Sequence, residues 1–134
     1  MVLVAAVFTL YFTHKLIAAG PLLLALQILA AFLMLWARIT FGRRSFHAAA
    51  NSTEGGLVTN GPYALIRHPI CAAILLFLGA GIAAHPAWQT VALGLLALAA
   101  TVVRMVTEEQ LVRARYPEYA AYAARTRRLI PQIL

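Results

Sequence analysis

From Met1 to Ala37 the chain carries one formal charge, Lys15, and from Pro69 to Val103 it carries none. Such runs cannot be divided between a core and a hydrated surface, because they hold almost nothing that faces water well. At 37 and 35 residues, each is about twice the roughly 20 that one helical crossing of a bilayer requires. The chain therefore reads as an all-α, polytopic integral membrane protein. Its composition agrees: 63% of the 134 residues are hydrophobic and 11% charged, well away from the balance of a soluble domain.

Each run breaks near its middle, at Gly20-Pro21 and at His85-Pro86, where a helix ends and the chain turns. The expected architecture is two helical hairpins, with four transmembrane helices over residues 2–19, 21–40, 69–84 and 87–106. The whole chain, 1–134, is expected to form a single membrane domain. It comprises an N-terminal hairpin (1–40), a cytoplasmic loop (41–68), a second hairpin (69–106) and a C-terminal helix and tail (107–134). Eight of the eleven basic residues fall in the loop or the C-terminal part and two more, Arg38 and Arg104, at the ends of the spans that adjoin them, with only Lys15 toward the other side. The positive-inside rule then puts both termini, the loop and the tail in the cytoplasm of a bacterial or archaeal inner membrane. The net charge of +7 does not indicate nucleic acid, because no basic and aromatic residues interleave as a binding module requires. The lone cysteine, Cys71, excludes an internal disulfide. A cleaved signal peptide is not expected either, since no basic residue precedes the first apolar run.

The loop opens with "FGRRSFHAAANSTEGG", whose Arg43 and Arg44 read first as headgroup anchors. It continues as "LVTNGPYALIRHP", which mixes glycine, proline and an aromatic with apolar residues just before the third span. Backbone of this kind enters a membrane boundary only where protein, water or a ligand satisfies its amides. After the fourth span, Arg104 and Glu108 stand four apart and share a helical face. Thr107 with Gln110 fits a capping box, which implies a helix restart or a bend there. Glu108 and Glu109, being adjacent, point to different faces, and taken alone they read as a solvated helix start. "PEYAAYAAR" starts a short amphipathic helix with proline in its first turn. Tyr116, Tyr119 and Tyr122 suit an aromatic belt at headgroup level as well as they suit ligand contact.

Together, "LVTNGPYALIRHP" (57–69), "RMVTEE" (104–109) and "YPEYAAY…RRLIP" (116–131) resemble the catalytic core of the isoprenylcysteine carboxyl methyltransferase family, which is related to membrane phospholipid methyltransferases. Cys71 and Ala73 depart from that pattern, standing where the family usually has tyrosine and often glycine. The resemblance implies a membrane methyltransferase that uses S-adenosylmethionine, releases S-adenosylhomocysteine and needs no metal. Its acceptor would be a lipophilic small molecule or lipid drawn from the bilayer, with a carboxylate as one candidate. It further implies catalytic roles for Arg104 and Glu108. Cofactor contacts would come from Leu57, Val58, Thr59, Gly61, Pro62, Tyr63, Arg67, His68, Pro69, Glu108, Glu109 and Tyr119. The chemistry is apt: a sulfonium cation, an amino acid head and an adenine call for negative charge or aromatic faces, backbone donors and an apolar slot. Arg104 suits an anionic acceptor through a bidentate pair, with Glu108 holding either Arg104 or the cofactor. An ion pair that only ties helices together is the simpler alternative. Two other classes remain open at this point: an NADPH-dependent enzyme like the membrane sterol reductases, which share a similar R-H-P region, and a non-catalytic scaffold. Small-residue faces around Gly79, Gly81 and Gly94 allow a homodimer.

Overall fold

A computed structural model of the chain describes residues 2–14, 16–42 and 59–130. Among them it is all-helical, with α1 over Val2–Phe12, α2 over Pro21–Phe41, α3 over Pro69–Ala84, α4 over Trp88–Arg115 and α5 over Tyr119–Arg125. A one-turn 3-10 helix, Gly61–Ala64, precedes α3. The described residues contain no strand, only one isolated parallel bridge between Ile66 and Arg127.

Two helices, α2 with 21 residues and α4 with 28, are long and apolar enough to cross a membrane. Fewer than a quarter of the residues in either apolar window are buried, so these are not the core helices of a soluble protein. Instead the outer faces present large apolar side chains, with Leu22, Ile39 and Trp88 each more than 70% exposed. Surfaces of that kind belong in hydrocarbon. The third apolar helix, α3, has 16 residues, or about 24 Å at 1.5 Å per residue.

The first expected span differs most from its sequence reading. α1 ends at Phe12, and His14 adopts a positive φ of 55°. Non-helical backbone over 16–20 is tolerated because side chains from elsewhere satisfy it. Buried Gln27 of α2 accepts from the Ala18 amide at 2.9 Å and donates to the carbonyls of Leu16 at 2.7 Å and Phe77 at 3.1 Å. His85 Nε2 lies 3.0 Å from the Ile17 carbonyl. The first hairpin does not pack upon itself either: α1 lies against α4, and α2 lies along α3. Ala30 and Ala37 on α2, and Ala73 and Ala80 on α3, are almost wholly buried. Small side chains of this kind let neighbouring backbones approach closely. Ala6 and Leu10 of α1 meet Leu78 and Ala97 in a second apolar cluster.

The turn at His85-Pro86 falls where the sequence places it, and the Thr90 hydroxyl, accepting from the Ala87 amide at 3.0 Å, closes the first turn of α4. At the other end, of the restart or bend expected at Thr107, the restart does not occur. α4 continues unbroken to Arg115, and the Thr107 hydroxyl donates back to the Val103 carbonyl at 2.9 Å instead of capping. Residues 107–115 are good helix formers, and only Pro117, which forces Tyr116 into an extended conformation, stops them. The apolar part of α4 thus ends at Val106, and a polar two-turn extension carries Glu108 and Glu109 beyond it.

Candidate functional site

The end of α2, the start of α3 and the end of α4 converge with α5 and the 3-10 helix. Gly61 opens that short helix with a φ of +56°, and a Cβ built there would lie 2.7 Å from the Thr40 hydroxyl of α2. Only glycine combines this backbone with so close an approach. Pro62 and Tyr63 are buried behind it. The Tyr63 ring sits 5.4 Å from that of Phe41, and its carbonyl accepts from the Tyr122 hydroxyl at 2.7 Å. Tyr122 in turn meets Tyr119 edge-on at 5.9 Å, so α5 is bolted to the segment that leads into α3.

Pro69 occupies the first turn of α3, with His68 as its N-cap. The His68 side chain makes no capping bond. It turns toward α4, where Nε2 lies 3.0 Å from Oε1 of Glu109. Arg67 approaches the same oxygen, its Nε at 3.2 Å. That contact is electrostatic only, since its geometry leaves Nε without a hydrogen bond. The Arg67 Nη1 donates to the Ala123 carbonyl of α5 at 2.8 Å. The second oxygen of Glu109 accepts from Arg128 Nη2 at 3.2 Å. Burial would by itself raise the Glu109 pKa, but hydrogen bonds with His68 and Arg128 and the charge of Arg67 outweigh it and hold the carboxyl at about 2. Tyr119 is pushed up to about 12 by its own burial and then by the Glu109 charge.

Glu108, half-buried, projects around the other side of α4. Its charge acts on Tyr63, whose pKa is raised by burial first and by Glu108 second. Together with Arg104, which is exposed one turn earlier on the same face, it also acts on Cys71 of α3. The two neighbouring carboxylates are thus separated by environment. Glu109 is locked among two arginines and a histidine, and Glu108 is half-buried, close enough for its charge to act on the buried Tyr63. Neither forms a solvated helix start, because the helix does not start there and Glu109 is buried.

Of the residues the resemblance points to, Arg67, His68 and Glu109 come into direct contact, and Tyr119 lies within reach of Glu109. Tyr63 lies within reach of Glu108. Thr59 stands exposed ahead of the turn. Leu57 and Val58 lie outside the described residues, as do Lys15, Arg43 and Arg44. Sequence reasoning left Arg128 without a role, and it gave Tyr122 only a belt or a ligand contact, not the bond to the Tyr63 carbonyl. Both sit inside motif segments, "YPEYAAY" and "RRLIP", which was the only signal for Arg128. Among the described residues no group of three or more His, Cys, Asp or Glu side chains is arranged to hold a metal ion.

An all-helical membrane protein with a carboxylate caged by arginines and a histidine at one end of its helices is the class these features define. The chain belongs to the phospholipid methyltransferase family, whose sequence profile matches residues 15–119. It is 34% identical over 121 residues to the cobalt-zinc-cadmium resistance protein CzcN of Cupriavidus metallidurans. That match covers 85% of this chain and spans about half the length of the relative, 51%. No solved structure matches the chain.

Proposed function

We propose that the chain is an S-adenosylmethionine-dependent membrane methyltransferase acting on a lipophilic acceptor, of the isoprenylcysteine carboxyl methyltransferase kind. The observation that carries this reading is the separation of the two glutamates. Glu109 fixes Arg67 and His68 at the start of α3, which frees Glu108 to present negative charge beside Tyr63. The residues present fit the cofactor. The charge of Glu108 suits its cationic amino and sulfonium groups, with the buried rings of Tyr63 and Tyr119 backing the site, and Arg67, whose buried Nε lacks a hydrogen-bond partner, suits its carboxylate. Bound there, the cofactor supplies an electrophilic methyl group.

The protein's own task is then positional: to hold an acceptor nucleophile in line and exclude water. Arg104, one turn from Glu108, orients an anionic acceptor group, and Glu108 keeps donor and acceptor in register. An open apolar cleft of about 300 Å³ between α3 and α4, lined by residues such as Leu75, Ile82, Val91 and Leu95, gives a hydrocarbon chain a place to lie. The distribution of arginines supports placing the site on the cytoplasmic face of a bacterial or archaeal inner membrane. The small-residue faces are compatible with a homodimer.

Titration calorimetry of detergent-purified protein with S-adenosylhomocysteine tests the reading. Saturable binding that Glu108→Ala weakens at least tenfold is the expected result. No binding by the parent protein overturns it.

A further inference from the structure

The residues between α5 and the end of the described chain run beside the segment that leads into α3, forming a strap. The Arg67 amide donates to the Arg127 carbonyl at 2.6 Å, the His68 amide to the Arg128 carbonyl at 3.0 Å, and the Arg127 amide to the Leu65 carbonyl at 3.3 Å. One residue of this strap closes a ring. The Arg128 carbonyl holds the His68 backbone, while its guanidinium holds Oε2 of Glu109. Oε1 of the same carboxylate faces the His68 side chain. Three hydrogen bonds thus join Arg128, Glu109 and His68 in a closed circuit.

A half-exposed ion pair ordinarily contributes little, because both partners keep rotamer freedom and water competes. Arg128 departs from that case in two respects. Its Cα is fixed by the strap, and its partner carboxylate is buried, with 9% of the side chain exposed. A carboxylate held from one side only is free to rotate about its terminal torsion, which is broad and lacks sharp rotamer wells. Held at both oxygens, it has one orientation.

We propose that Arg128 is a positioning residue, which acts through Glu109 to fix the His68 imidazole and the Arg67 guanidinium at the start of α3. It touches neither substrate nor cofactor in this role. The inference rests on the methyltransferase reading for its consequence, which is that the strap presets the site for the methyl donor. It stands apart from that reading in its geometry.

The test joins two readouts on Arg128→Ala and Arg128→Lys. Because the side chain is 48% exposed, its truncation opens no buried cavity, and the lysine variant supplies a folded comparison that keeps the charge. The first readout is the ¹⁵N resonance of the His68 imidazole in isotope-labelled protein, which reports the ring's hydrogen bonding whether or not any cofactor binds. The second is S-adenosylhomocysteine affinity. Arg128→Ala is expected to move the Nε2 resonance and to weaken binding on the order of tenfold, with Arg128→Lys restoring most of both. An unmoved resonance in Arg128→Ala overturns the positioning role, as does donor affinity equal to the parent's. A parent protein that binds no S-adenosylhomocysteine overturns the functional reading instead, and the resonance then decides the positioning role by itself.

Discussion

Glu109 is the residue on which the site's electrostatics turn. One carboxylate faces Arg67, His68 and Arg128, so removing its charge leaves cations packed together without their counterion. Glu109→Gln keeps the shape and is expected to lower stability by about 2–3 kcal/mol, somewhat under the loss from a fully buried pair because Arg128 is half exposed. The shift in thermal unfolding midpoint in detergent measures it. Glu108→Gln, in a half-buried position, is expected to leave that midpoint nearly unchanged while abolishing methyl transfer. The sign of the pH response follows from the depressed Glu109 pKa. The folded carboxyl titrates at about 2 against an ordinary value of 4.5, so the unfolded chain binds the proton first as pH falls. The contribution of Glu109 is complete above the ordinary value and is lost as pH drops through that window. Unfolding midpoints of the parent and Glu109→Gln should therefore converge toward the acid end, and a constant gap between them would contradict the assignment.

Among the elements, the least regular ones position the site. The 3-10 helix is held from below by Phe41 of α2, from above by Tyr122 of α5, and at its start by the close approach of Gly61 to Thr40. Gly61→Ala sets a side chain on a φ of +56° and against a hydroxyl at 2.7 Å. It is expected to cost about 1–3 kcal/mol. Adding Thr40→Ala should recover the steric part and leave the dihedral part, so partial recovery of the unfolding midpoint is the expected result and full recovery would assign all of the loss to the clash. α5 has only seven residues and would not persist alone. Its helicity comes from the buried Tyr119 and Tyr122 and from the Arg67 guanidinium that grips the Ala123 carbonyl.

Across the whole molecule, polar side chains tie the end remote from the site as arginines tie the near one. Gln27 ties the irregular chain after α1 to α3 through three hydrogen bonds. Gln27→Ala strands the Ala18 amide in apolar surroundings, and a loss of about 2–4 kcal/mol is expected. Cofactor affinity of the protein that still folds should be unaltered, which calorimetry beside thermal unfolding would check. The membrane character, the helical class, the breaks at Gly20-Pro21 and His85-Pro86 and the placement of Pro69 at the head of α3 were all readable from the sequence. Each depends on composition or on a few adjacent residues, whose preferences act locally. The shortening of α1 was not readable, because Gln27 of α2 and His85 of the turn between α3 and α4, which permit it, come from elsewhere in the chain. Nor was the choice between two adjacent glutamates. A helix sends neighbours to different faces, and which face is buried depends on a histidine 41 residues away and an arginine beyond the next helix. Sequence alone determined what kind of solvent this chain needs and which residues carry charge. Only the tertiary structure decided which of those charges meet, because the energy of an ion pair is set by distance and burial, and local sequence specifies neither.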